Sequence, residues 1–336
     1  WYDQNTSASQ FKISRGDQLA GLQYLVATGK DFSGKTITLT QDIDMNSMEF
    51  ISIGVKEDKT YEKLISPSGT KTNVTLSGSS LYEFAGVFDG GNNLIKNIKL
   101  TDNGLFYKST NTIKNVKISG TLNLSKGKSE EVGVVSSYST GKIINCKNYA
   151  DLKLAVVSNT IKAGGICGNS TGTIDSCTNF SFTSNKEGLY SSIGGIVSSG
   201  NIVVNCVNYG SIGDGNKNYG AAGIAYTATD INNCINYADS TGISYGMAYQ
   251  ATNVKNCYNY GNLGNFNNGT VVGCGIVVNA NVIENCYNTG DIIGNVKSAG
   301  ITIGDNSKIS KCGNTGKIRR ARKSLPSIWK SVLCCR

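Results

Sequence analysis

Residues Val254–Leu263 read VKNCYNYGNL, a cysteine between two asparagines with tyrosines close behind. Four roles suit such a cysteine: nucleophile, metal ligand, half of a disulfide, or small buried side chain. The rest of the chain decides among them, because the stretch recurs. It returns as IINCKNYA at 143–150, IDSCTNFS at 174–181, VVNCVNYG at 203–210, INNCINYA at 231–238, IENCYNTG at 283–290 and ISKCGNTG at 309–316. The cysteines are Cys146, Cys177, Cys206, Cys234, Cys257, Cys286 and Cys312, at spacings of 31, 29, 28, 23, 29 and 26 residues. Ile or Val stands three before each. Asn stands two after each, at Asn148, Asn179, Asn208, Asn236, Asn259, Asn288 and Asn314.

A second element lies between these cores: AGGICGN at 163–169, IGGIVSS at 193–199, AAGIAYT at 221–227, YGMAYQ at 245–250, GCGIVVN at 273–279 and SAGITIG at 298–304. Each unit is two or three short strand signals separated by Gly/Asn/Ser turns, with no helical apolar period. One unit cannot bury its own apolar face, but stacked units build a continuous core. The pattern predicts an all-β chain: a parallel β-helix, or solenoid, of about nine coils. It should be right-handed, because parallel crossovers strongly favour that hand.

The same lead appears upstream without cysteine, in LIKNIKL at 94–100 and TIKNVKI at 112–118, where Ile98 and Val116 are expected in the cysteine slot. A slot that accepts Ile, Val or Cys is a buried apolar slot, and free cysteine behaves there as a small hydrophobe. A nucleophile is needed once, beside an activating base, and the chain contains no histidine. That absence also removes histidine zinc sites and histidine general bases. Stacked cysteines about 4.8 Å apart fall within disulfide Cα range, but in-register side chains point the same way, which suits a disulfide poorly. Metal clusters need converging thiolates, which a one-dimensional row does not supply. Cys167 and Cys274 lie off the row, in the glycine-rich strand.

The asparagine two after each cysteine reads as a turn residue tolerant of left-handed backbone, with stacked amides bonding from coil to coil. The residues that follow, Tyr149, Phe180, Tyr209, Tyr237 and Tyr260, form an aromatic column. It is either a packing stack at one corner or a platform for sugar rings, and it lapses at Thr289 and Thr315. The position two before each cysteine should face outward and reads Ile144, Asp175, Val204, Asn232, Lys255, Glu284 and Ser310. No two neighbouring coils supply an acid there, and Asp151 and Asp239 belong to coils too far apart to pair. A glycan hydrolase needs two carboxylates facing one cleft.

The ends differ from the array. SRGDQLAGLQYLVATGK places Leu19, Leu22, Leu25 and Val26 at helical spacing, with Ser14 as N-cap and Gly29 as stop. Residues 1–80 are therefore expected to form a helix-containing cap, 81–318 the β-helix, and 319–336 a basic tail. QDIDMNS carries Asp42, Asp44 and Asn46, a D-x-D-x-N string, but Ser47 stands where a calcium loop needs glycine, so a structural turn is the expectation. The formal net charge is +9; the last twenty residues hold seven Lys or Arg and no acid, leaving 25 basic against 23 acidic residues elsewhere. The body lacks the basic face of a nucleic-acid binder. No apolar run reaches the length of a membrane-spanning helix. The start at Trp1 reads as a processed or trimmed end, or as part of a longer protein. The tail breaks the repeat and reads as a non-native end on a truncated array or as a membrane-surface segment.

AGGICGNSTGTIDSCTNF at 163–180 resembles the GLUG-type repeat of bacterial surface proteins. Upstream, ISRGDQLAGLQYLV, DFSGKTITLTQDIDM, FISIG and FAGVFDGGNNLIKNIKL are similar, in order, to the leader that precedes such arrays. The resemblance covers roughly residues 10 to 318; GIAYTAT and MAYQAT depart from it by losing the second glycine of the strand motif, and the tail fits no part of it. It implies an extracellular, surface-displayed module without catalytic residues or cofactor, binding glycans or host or matrix proteins. A spacer with no ligand of its own and a polysaccharide-degrading β-helix are the alternatives.

Overall fold

The computed structural model describes residues 1–57, 59–64, 71–124, 131–154, 161–181, 183–185, 191–213, 220–264, 272–294, 297–320 and 328–329. The chain winds as a β-solenoid of about nine turns, nearly all β, with one helix near its N-terminus. Three parallel sheets form its faces, with fourteen, thirteen and eight strands among the described residues. One coil shows the plan. Ile161–Gly164 lies in the third sheet, Cys167–Asp175 in the first, and Thr178–Asn179 in the second.

Stacking is in register, so equivalent residues sit above one another. Ile143, Ile174, Val203, Ile231, Val254, Ile283 and Ile309 form one unbroken inward row. The corner between the first and second sheets falls on the residue before each cysteine. Asn145, Ser176, Asn205, Asn233, Asn256, Asn285 and Lys311 there take φ between 51° and 55°. The left-handed residue is thus the one before the cysteine, not the asparagine two after it, which is strand. Asparagine tolerates this backbone because its short polar side chain offsets the steric cost locally.

The N-terminal segment joins the same architecture. Gln10–Ile13 pairs with Thr36–Leu39, which pairs in turn with Val87–Asp89. Between the first two lies α1 (Gly16–Ala27), which buries Leu19, Leu22 and Val26 and leaves Leu25 half-buried. Its N-cap is Arg15 rather than Ser14. Ser14 serves the helix start differently: its backbone N–H and its hydroxyl both donate to Gln18 Oε1, at 2.8 and 3.3 Å. Gly29, at φ 93°, turns the chain out of the helix. The D-x-D-x-N string is a turn: Asp42 Oδ1 accepts from the Leu94 N–H, and Asp44 Oδ1 from the Asn46 N–H and Asn97 Nδ2.

Ile98 does not occupy the cysteine slot. Ile95 pairs with Ile118, and Ile98 pairs with Gly120 after a bulge. The LIKNIKL segment therefore lies within the second sheet, past the corner. The corner in that coil is made by Gly90–Asn93, where Gly91 and Asn92 have positive φ. Val116 does stand in the slot, fully buried, between Ile113 over Ile143 and Lys117 over Lys147. The early core is filled instead by Phe84, Phe88 and Phe106, with ring centroids 5.0 and 5.2 Å apart. Of the tail, Ile328–Trp329 pairs with Lys297–Ser298; Pro326, Cys334 and Cys335 lie outside the described residues.

Candidate functional site

All seven ladder cysteines are free and buried. Each thiol donates to the carbonyl two residues before it, at 3.0–3.4 Å. Burial disfavours the thiolate along the row and pushes the Cys146, Cys206 and Cys257 thiols well above their ordinary range, and Cys274, off the row, up to about 12, while at the alternate rungs Cys177, Cys234 and Cys286 hydrogen bonds from the neighbouring thiols act in the opposite direction. Reactive cysteines need an exposed thiolate in an electropositive setting. These are dry and closed off, so the row is packing.

The asparagines two after the cysteines build a buried amide column. Asn148 Nδ2 donates to Asn179 Oδ1, and the relay continues through Asn208, Asn236, Asn259 and Asn288 to Asn314, at 2.6–2.9 Å. From Asn179 on, the second amide hydrogen goes to the carbonyl two residues ahead, at 2.9–3.4 Å. At Asn179, Asn208 and Asn236 the side-chain oxygen also accepts the backbone N–H two ahead. An interior rung such as Asn236 thereby uses both donors and both acceptor sites, which is why a polar group survives in a core this dry.

That column explains a glycine. A Cβ on Gly165, Gly195, Gly223, Gly246, Gly275 or Gly300 would run into the side chain of Asn179, Asn208, Asn236, Asn259, Asn288 or Asn314 of its own coil. For Gly165, Gly195, Gly223, Gly246 and Gly275 it would also strike a carbonyl of the next. This glycine is present in all six units, including AAGIAYT and YGMAYQ.

Outside the second sheet, Tyr149, Phe180, Tyr209, Tyr237 and Tyr260 stack with centroids 4.8–5.2 Å apart and planes within 9° of parallel. Interior ring faces are covered by their neighbours, so along its length the column shows ring edges to solvent. A second pair, Tyr258 and Tyr287, stacks at 5.6 Å in the adjacent column, with Tyr258 6.4 Å from Tyr260. Sequence reading passed over this pair, although the alternation of a strand puts the residue directly after the cysteine on the same outer face as the residue three after. Among the described residues, six of the eight large apolar side chains that are exposed lie here: the five of the column and Tyr287, each 37–47% accessible.

The expected outward row from Ile144 to Ser310 is in register along the first sheet. Its neighbouring opposite charges, Lys255 and Glu284, pair at 3.5 Å. Asp151 accepts the Ser181 hydroxyl, and Asp239 the Asn262 N–H. The structure thus gathers the aromatic residues on one outer face and the amides in one buried column.

No protein-family model matches the chain, and no curated protein matches it. Among solved structures the chain is similar to the crystal structure of a protein from Bacteroides ovatus described as a "putative immunoglobulin A1 protease", with a TM-score of 0.51 and 20% identity, over 92% of this chain and 84% of that one. Likeness at that identity concerns the fold alone.

Proposed function

We propose that this chain is a non-enzymatic binding module of the GLUG-repeat type, displayed outside a bacterial cell, which uses its solenoid as a stiff support for the aromatic face of the second sheet. The observation that carries the reading is the concentration of exposed rings. Isolated surface apolar residues need no explanation, whereas a contiguous patch marks an interaction surface. Here the rings cluster on one flat face, held by a sheet whose buried amides hydrogen-bond to one another from coil to coil. Rings that are rigid before binding lose little freedom on binding. Glycans suit this surface: a pyranose ring presents C–H groups on its faces for aromatic contact and hydroxyls at its edges for the polar side chains around it.

The alternative of a glycan-cleaving enzyme has less support, because the cysteines are enclosed and the nearest outward acids are spent on ion pairs and turn bonds. The spacer reading accounts for the stiff core but not for the exposed rings. A glycan-array screen of the whole chain beside a Tyr209→Ala, Tyr237→Ala, Tyr260→Ala variant tests the proposal. Saturable binding that the variant loses supports it; no binding by either protein leaves the spacer reading in its place.

A further inference from the structure

The aromatic column ends abruptly at its N-terminal side. Lys117 pairs with Lys147 and Ile118 with Asn148, so the residue under Tyr149 is Ser119. Below Ser119 the neighbouring strand bulges, with Lys96 and Asn97 between Ile95, opposite Ile118, and Ile98, opposite Gly120. Ser119 is a half-buried side chain of one hydroxyl where the next five coils carry rings. The rung is therefore one ring short. Tyr149 stacks on Phe180 on one side and on no ring on the other among the described residues, and a ring on the Ser119 rung would continue the 4.8–5.2 Å spacing of the column.

The surroundings are cationic. On the outer face, residues of neighbouring columns are about 6–7 Å apart and rungs about 4.8 Å apart, within reach of a lysine side chain. Around Ser119 those positions hold Lys117 on its own rung, Lys147 on the rung above, Lys96 in the bulge of the rung below and Lys99 diagonally below, opposite Thr121. Lys96 is paired with Asp44 at 3.4 Å. Lys99, Lys117 and Lys147 make no ion pair among the described residues. The one acid on the rung above, Asp151, already accepts from Ser181. The other end of the column differs: Tyr260 looks onto Thr289, with Asp291 on that rung.

We propose that the Ser119 rung is a binding subsite for one pyranose ring bearing a carboxylate. The sugar ring extends the stack on the side of Tyr149 that carries no ring, and its carboxylate is taken by Lys117 and Lys147. This rests on the reading of the aromatic face as the ligand-binding surface and adds where the ligand sits and what charge it carries. Uronic and sialic acids share the required chemistry.

The experiment uses the whole chain with a hyaluronan hexasaccharide, 3′-sialyllactose and neutral lactose, followed by calorimetry. Saturable binding of an acidic ligand and not of lactose is expected, weakening as salt is raised. Ser119→Tyr supplies the missing ring from the protein and should weaken binding at least tenfold with the unfolding temperature unchanged or raised. Lys117→Gln with Lys147→Gln should weaken it similarly and flatten the salt dependence; this pair keeps the test open should Ser119→Tyr misfold. Binding confined to hyaluronan assigns a uronic acid, and binding confined to sialyllactose a sialic acid. Unchanged binding by Ser119→Tyr overturns the subsite. So does neutral-glycan binding lost in the Tyr209, Tyr237, Tyr260 triple variant while both acidic probes fail, which leaves the aromatic face standing. No saturable glycan binding at all overturns both.

Discussion

Upstream of Cys146 the solenoid interior is filled with large apolar side chains, several of them Phe; downstream its Ile and Val rows are joined by columns of cysteine, asparagine and glycine. The two halves share one geometry. Ile118 stands in the strand position that Asn148 takes one coil later, and Val116 in the position of Cys146. Upstream, Phe84, Phe88 and Phe106 occupy the core, and strand residues such as Ile95 and Ile118 close it without a polar atom. Downstream, each coil inserts an amide that must find four partners and, in the six units from Gly165 on, pairs it with a glycine that makes room. An apolar coil tolerates exchange of one hydrophobe for another. An amide coil is tied to its neighbours above and below, so its residues are coupled across three coils.

The largest effect expected from that coupling is at the glycine. Gly223→Ala would drive a methyl group into Asn236 and into the Gly246 carbonyl, both enclosed; overpacking against backbone predicts a loss of about 3 kcal/mol or more, read by denaturant unfolding. An unaltered midpoint would refute the link between glycine and amide. Asn236→Ala comes next. It strips partners from Asn208, Asn259 and the 238 backbone together, and unsatisfied buried groups predict a cost of about 2–4 kcal/mol. Ile118→Asn, the reverse graft, gains one rung partner in Asn148 but faces apolar Ile95, with an expected cost of about 1–3 kcal/mol. If it proved neutral, the contrast between the halves would be one of composition alone. Cys234→Val, which copies Val116, should change stability by less than about 1.5 kcal/mol. The smallest effect concerns reactivity: in the folded protein the seven ladder thiols should not react with an aromatic disulfide reagent, and all should react in guanidinium. Rapid labelling of the native chain would end the packing account of the row.

The repeat was legible because stacking makes each slot answer to the same slot above and below, so periodic sequence becomes periodic structure. The apolar nature of the cysteine slot followed from comparing coils, and Val116 bears it out. Ile98 misled for a physical reason: Ile-Lys-Asn-Ile suits a left-handed corner wherever it falls, and two coil corners of different length, Gly90–Asn93 and Asn115, shift which strand it joins. The wrong asparagine was assigned the left-handed backbone because Asn-Cys-x-Asn contains two, and side-chain type alone does not say which one the chain bends at.

The aromatic residues could be named from sequence, and so could their column, since Tyr, Phe and Tyr recur at one offset from cysteine. Their mutual coverage could not, because ring orientation depends on rotamers set by neighbours in other coils. By itself the sequence determined the repeat, its β class, the parallel stacking and the identity of the inward rows, all consequences of local periodicity and burial. Only the tertiary structure decided that the amides bond to one another from coil to coil, that six of the seven face a particular glycine, and that the aromatic column starts at Tyr149 beside lysines. These depend on distances between residues some thirty positions apart, which exist only once the coils have closed on one another.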